Sequence, residues 1–120
     1  MARGKVLLVD ANAIERGALA VKLRHAGYEV VAAGDGQAAL AQLRLPPPPC
    51  AILLSAAANG TQGRDLLAQL RQDPAAPPVP IFVLADGNAA PAWAAEAGVS
   101  DWLPKPINID RLLAALGRLC

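Results

Sequence analysis

Val6-Leu7-Leu8-Val9-Asp10 is a short, wholly apolar run that stops at a carboxylate. The outline recurs at Ala51-Ile52-Leu53-Leu54-Ser55, and again where Asp101-Trp102-Leu103 leads into Pro104-Lys105-Pro106. Runs of this length without polar alternation are the mark of strands covered on both faces, as in a parallel sheet between helical layers. Their C-terminal ends are where open α/β sheets place chemistry. The three ends resemble the outline of a phosphate-handling site from which most of the acids are missing, which favours a binding or signalling module over an enzyme.

Working outward from Asp10, Ile14, Ala18 and Val21 recur at spacings of four and three, which predicts a helix that Gly27 stops. Tyr28 to Ala33 reads as a second strand. Asp35 is placed to cap a second helix carrying Ala39, Leu40 and Leu43 on one face. Pro46 to Pro49 excludes helix, because proline fixes φ and lacks an amide donor. Between two elements of a compact unit it reads as a rigid loop rather than as a ligand for a proline-recognition domain. Leu66, Leu67 and Leu70 predict a third helix, Ile81 to Leu84 a fourth buried strand, and residues 89–97 a weakly patterned fourth helix with Pro91 in its first turn. A short strand around Asp101 to Leu103 follows. Asn108 then caps a last helix with Ile109, Leu112, Leu113, Leu116 and Leu119 at amphipathic spacing. Five β/α pairs result, with no tandem repeat and no linker, so residues 1–120 are expected to form one domain.

Composition narrows the function. Hydrophobic residues make up 54% of the 120 and charged ones 18%, with eleven Lys and Arg against ten Asp and Glu. That balance gives no electrostatic reason to bind nucleic acid or an anionic membrane. No apolar stretch reaches the length of a membrane span, and the first residues lack the pattern of a signal peptide, so a cytoplasmic location is expected. Cys50 and Cys120 follow no metal-ligand or CxxC spacing and are expected to be reduced thiols, Cys50 as a small buried hydrophobe. His25, the only histidine, excludes any scheme that needs two imidazoles.

The order of elements carries recognisable words: Val9-Asp10, Ala26-Gly27-Tyr28-Glu29-Val30, Gly36-Gln37-Ala38-Ala39-Leu40, Glu96-Ala97-Gly98-Val99-Ser100-Asp101-Trp102-Leu103 and Lys105-Pro106. Together, over essentially the full chain, they resemble the receiver domain of two-component response regulators. That resemblance implies a flavodoxin-like (CheY-like) fold: a five-stranded parallel sheet in the order 2-1-3-4-5 with helices on both faces. It also implies a site at the C-terminal edge of the sheet. Two acids after the first strand help to hold Mg²⁺, an aspartate after the third takes the phosphoryl group, and a Ser or Thr after the fourth and a Lys-Pro after the fifth complete it.

Carried over residue by residue, Asp10 matches the first acid, but Ala11 replaces the second. Ser55 replaces the phosphoryl acceptor, Ala85 the hydroxyl residue, and Trp102 stands at the aromatic switch position; only Asp10, Lys105 and Pro106 keep the expected identity. One carboxylate beside Lys105 is a poor donor set for Mg²⁺, so neither a metal nor another cofactor is expected. A serine hydroxyl needs a base or a metal before it attacks, and His25 belongs at the opposite rim of the sheet. Asp10 is therefore expected to pair with Lys105, and the resemblance implies a cis Lys105-Pro106 bond.

With the acids gone, the surface is expected to carry the function, as a pseudo-receiver that binds a protein partner without phosphorylation. Receivers use the side formed by the fourth helix, fifth strand and fifth helix, which here carries Trp93 and Trp102. The exposed edge of the second strand is an alternative, by strand addition. The Pro-rich loops and Leu-Cys ending are similar to the C-terminal pseudo-receiver of a cyanobacterial circadian input kinase. That would imply a sensor kinase or clock protein as partner, with quinone sensing in the emptied pocket as another reading. Residual phosphotransfer through Asp10 or Ser55 is the remaining one.

Overall fold

The computed structural model describes residues 4–56, 68–69, 72, 79–85 and 101–119. Its elements are β1 (Lys5–Val9), α1 (Ala13–His25), β2 (Glu29–Ala33), α2 (Gly36–Leu43), β3 (Ala51–Ala56), β4 (Ile81–Ala85), β5 (Asp101–Pro104) and α3 (Ile109–Gly117). The helices expected around Leu66–Leu70 and over residues 89–97 lie largely or wholly outside the described residues, so α3 is the last of the five expected from sequence. All four strand pairings are parallel and the order is β2-β1-β3-β4-β5, as the apolar runs and the resemblance imply.

The central strands are apolar on both faces because both faces are covered. Val6, Leu8, Leu53, Phe82 and Leu84 join Leu23 of α1 and Leu112 and Leu116 of α3 in one core cluster. Leu7, Val9, Ile52, Leu54 and Ile81 point the other way, onto Ala39 and Leu43 of α2. Burying one such side chain stabilises the fold by about 1.5–3 kcal/mol before the entropy of ordering it is subtracted.

Local chemistry sets the helix ends. The side chains of Asn12, Asp35 and Asn108 accept from first-turn amides of α1, α2 and α3. At the C-terminus of α1, Gly27 takes φ of 102°, and the amide of Tyr28 reaches back to Leu23 O at 3.1 Å while that of Gly27 donates to Arg24 O at 3.0 Å. This closure needs a left-handed residue, which glycine supplies without strain, and it seats Tyr28 on the same core cluster as Leu23.

The structure orients one predicted helix and corrects one expectation. The stripe that announces α1, Ile14, Ala18 and Val21, faces solvent: Ile14 is 85% and Val21 64% exposed, while Ala20 and Leu23 are buried. An apolar stripe at helical spacing ordinarily faces the core. In α1 a second one, Leu19, Ala20 and Leu23, takes that place, and Arg24 fixes the choice by donating to Val30 O at 3.2 Å. Cys50 is not a reduced thiol but is disulfide-bonded, with its Sγ 3.2 Å from Lys5 O. The only other cysteine in the sequence is Cys120, which lies outside the described residues. No local spacing motif in the sequence announces the bridge.

Candidate functional site

Register fixes which residues share the C-terminal edge. Val9 lies opposite Leu54 and Ser55 opposite Leu84, so Asp10, Ser55 and Ala85 follow one another along the rim. The amide of Asp10 donates to Ala33 O at 3.0 Å and that of Lys105 to Ala85 O at 2.9 Å, which extends the β1–β2 and β4–β5 ladders by one bond each and brings Lys105 to the same rim. Lys105-Pro106 is cis, as the resemblance implies. The tract before β3 contains a second cis bond, Pro46-Pro47.

Asp10 is the buried charged residue among those described, 8% exposed. Its carboxylate Oδ1 accepts from the amide of Asn12 at 2.8 Å, and its carbonyl accepts from Arg16 Nη1 at 2.7 Å. The expected Asp10–Lys105 pair does not form. Lys105 Nζ instead meets Glu15 Oε2 at 3.2 Å, in a pair whose lysine is largely covered and whose glutamate is half-exposed. The physical reason lies in the tight turn after β1: it brings the Asn12 amide to the Asp10 carboxylate, while the first turn of α1 brings Glu15 to the lysine. Glu15 is three residues after the cap Asn12, whose Oδ1 accepts from the Glu15 amide at 3.1 Å. That N-cap spacing is a signal from which Glu15 could have been placed; nothing comparable marks Arg16.

The donor set does not suit Mg²⁺, which requires several oxygen ligands. Ala11 supplies none, Ser55 at most a neutral hydroxyl, and the Asp10 carboxylate is engaged by an amide. Among the described residues, no three Asp, Glu, His or Cys side chains gather to hold a metal. Ser55 is half-buried and Ala85 buried at the strand ends. His25 is exposed in the last turn of α1, at the far rim.

A cavity of about 240 Å³ opens beside this edge, bounded by Asp10, Glu15, Leu19, Lys105, Ile107 and Ile109 among others. It runs between α1 and the β5–α3 connection, and neither Ser55 nor Ala85 lines it. Of the two tryptophans, Trp93 lies outside the described residues. Trp102 is half-buried in β5, in register with Val83 of β4. No helix among the described residues is long and apolar enough to cross a membrane.

The sequence pattern of the response regulator receiver domain matches residues 6–117. The response regulator MprA of Mycolicibacterium vanbaalenii is 30% identical over 115 residues, which cover 96% of this chain and 49% of that protein; the chain thus spans about half the length of the curated relatives it matches. The chemotaxis protein CheY4 of Vibrio cholerae is 30% identical, with a TM-score of 0.81 over 100% of this chain and 99% of its own. A response regulator receiver protein from Pseudomonas putida is 27% identical, with a TM-score of 0.84 over 98% of each chain.

Proposed function

The chain belongs to the response regulator receiver family of two-component signalling, and from that premise we propose that it is a pseudo-receiver, which engages a protein partner without passing a phosphoryl group through the acceptor position. The observation that carries this reading is the rim itself. Ser55 stands at the end of β3 with Ala11 beside Asp10, and the carboxylate that remains is hydrogen-bonded within its own turn. A carboxylate is nucleophilic at neutral pH without help, whereas a serine hydroxyl without a base is not.

The partner in this reading is a protein of the same signalling system, a sensor kinase foremost, with a clock protein as the narrower suggestion of the Pro-rich loops. In this reading it docks on the side bearing Trp102, to which the resemblance also assigns Trp93. Incubation with Mg²⁺ and a small acyl phosphate, followed by intact-mass measurement, is expected to leave the mass unchanged. A gain of one phosphoryl group that vanishes in Asp10→Asn overturns the proposal, and a gain that vanishes in Ser55→Ala does so equally.

A second reading, small-molecule sensing, is favoured by the cavity, whose lining is mainly apolar and includes the charged residues Asp10, Glu15, Lys22 and Lys105. Titration with a quinone should then perturb the methyl resonances of Leu19, Ile107 and Ile109. Perturbation confined to other residues would remove this reading.

A further inference from the structure

Asp10 is only 8% exposed, yet half of its carboxylate is unused. Oδ1 accepts from the amide of Asn12 at 2.8 Å, whereas Oδ2 has no hydrogen-bond or ion-pair partner among the described residues. No buried side-chain oxygen among those residues lacks a partner, so Oδ2 is reached from open space, and the open space that Asp10 borders is the cavity of about 240 Å³. Lys105, the cation expected to meet it, is held by Glu15 at 3.2 Å. Lys22, also on the cavity wall, is exposed on α1, where water solvates its charge. A nearly buried carboxylate thus borders the cavity with its charge unmatched, and a charge in that setting is costly until a partner of opposite sign arrives.

These contacts select the chemistry of the occupant. Leu19, Leu84, Ile107 and Ile109 offer an apolar wall. A cavity of about 150 Å³ already holds a benzene ring, so this one takes a single ring or branched alkyl group with a short arm. The arm must end in a donor, because an ionised carboxylate only accepts. Anionic ligands are repelled by Asp10, and a quinone brings carbonyl acceptors alone. A divalent metal needs several oxygen ligands, which the rim lacks, but an ammonium group is served by one charge-assisted hydrogen bond.

We propose that this cavity binds a small primary amine, its ammonium on Asp10 Oδ2 and its apolar body against Leu19, Ile107 and Ile109. The inference rests on the small-molecule reading of the cavity and names the ligand class.

The probes are 2-phenylethylamine, its neutral isostere 2-phenylethanol and the anion 3-phenylpropanoate, titrated at neutral pH into the isotopically labelled chain. The amine is expected to bind in the micromolar-to-millimolar range usual for so small a ligand. It should shift the methyl resonances of Leu19, Ile107 and Ile109 together with the amide of Asn12, which shares the Asp10 carboxylate. Its affinity should exceed that of the alcohol by roughly tenfold or more, and the anion should bind more weakly still. Asp10→Asn removes the charge and should bring the amine down to the affinity of the alcohol, while leaving the alcohol within about twofold. Ala18→Phe, at an exposed position on the cavity wall, should weaken the amine and the alcohol alike. Circular dichroism melts establish that both variants are folded. An amine that binds no more tightly than the alcohol, or that Asp10→Asn leaves undiminished, overturns the proposal. So does binding that leaves the Asn12 amide and the cavity methyls unmoved. If a quinone shifts those methyls and the amine does not, the amine assignment falls and the small-molecule reading stands; if no probe shifts them, both fall.

Discussion

Asp10 shows how far a residue's role follows from its place. Its position at the end of β1 is readable from the run that precedes it, but its partner is not. Lys105 and Glu15 are ninety residues apart, and the turn that gives Asp10 the amide of Asn12 becomes visible only when the backbone is closed. The carboxylate matters here as an acceptor rather than as a charge. Asp10→Asn retains an oxygen that can accept from Asn12 and should change stability by less than about 0.5 kcal/mol, whereas Asp10→Ala removes the acceptor of the part-buried Asn12 amide and should cost about 0.5–1.5 kcal/mol. Urea unfolding of the two variants against the wild type measures both. Equal losses would show that charge, not the hydrogen bond, holds the turn. The Glu15–Lys105 pair, half-exposed on the glutamate side, should contribute no more than about 1 kcal/mol.

At the scale of elements, the strands and the first turns of helices were legible and the facing of α1 was not. β1 was bounded correctly because its apolar run is flanked by polar residues on both sides, and α2 and α3 turned inward as their spacing required, with Ala39, Leu43, Leu112 and Leu116 buried. α1 carries two apolar lines, and periodicity alone ranks the longer one first. The sheet selects the other, because Leu23 and Ala20 fit the space over Leu8 and Val6 where Arg16 and Arg24 can reach carbonyls at either end. Leu23→Ala should therefore destabilise the fold by about 2–5 kcal/mol, and Ile14→Ser by less than about 0.5 kcal/mol. Denaturant titration provides the comparison. A larger loss in Ile14→Ser than in Leu23→Ala would reverse the assignment of faces.

For the whole molecule, a parallel sheet covered on both sides followed from alternating strands and helices, and its order β2-β1-β3-β4-β5 from the resemblance to receivers. The covalent closure did not follow, because two isolated cysteines carry no spacing signal. The disulfide at Cys50 pins the entry to β3, the strand at the centre of the sheet, and Cys50 packs against the cluster that holds Leu112 and Leu116. Cys50→Ser should lower unfolding free energy by about 2–4 kcal/mol, and treatment with a dithiol reductant should lower the wild type toward the variant. Thermal melts with and without reductant test this. A wild type indifferent to reductant would show that the bridge adds nothing to the fold. Arg16 has a further consequence that concerns assembly of the fold rather than its upkeep. A helix with two greasy sides can be laid on the sheet in two rotations, and hydrophobic collapse alone does not distinguish them. In the native rotation Arg16 reaches the Asp10 carbonyl, and its guanidinium lies 3.2 Å from where a side chain on Gly34 would begin, so a bare position there leaves the arginine room. The arginine, seated over a glycine at the neighbouring strand end, thus works as a key in its keyhole: it favours the native rotation, in which the spare apolar side faces solvent.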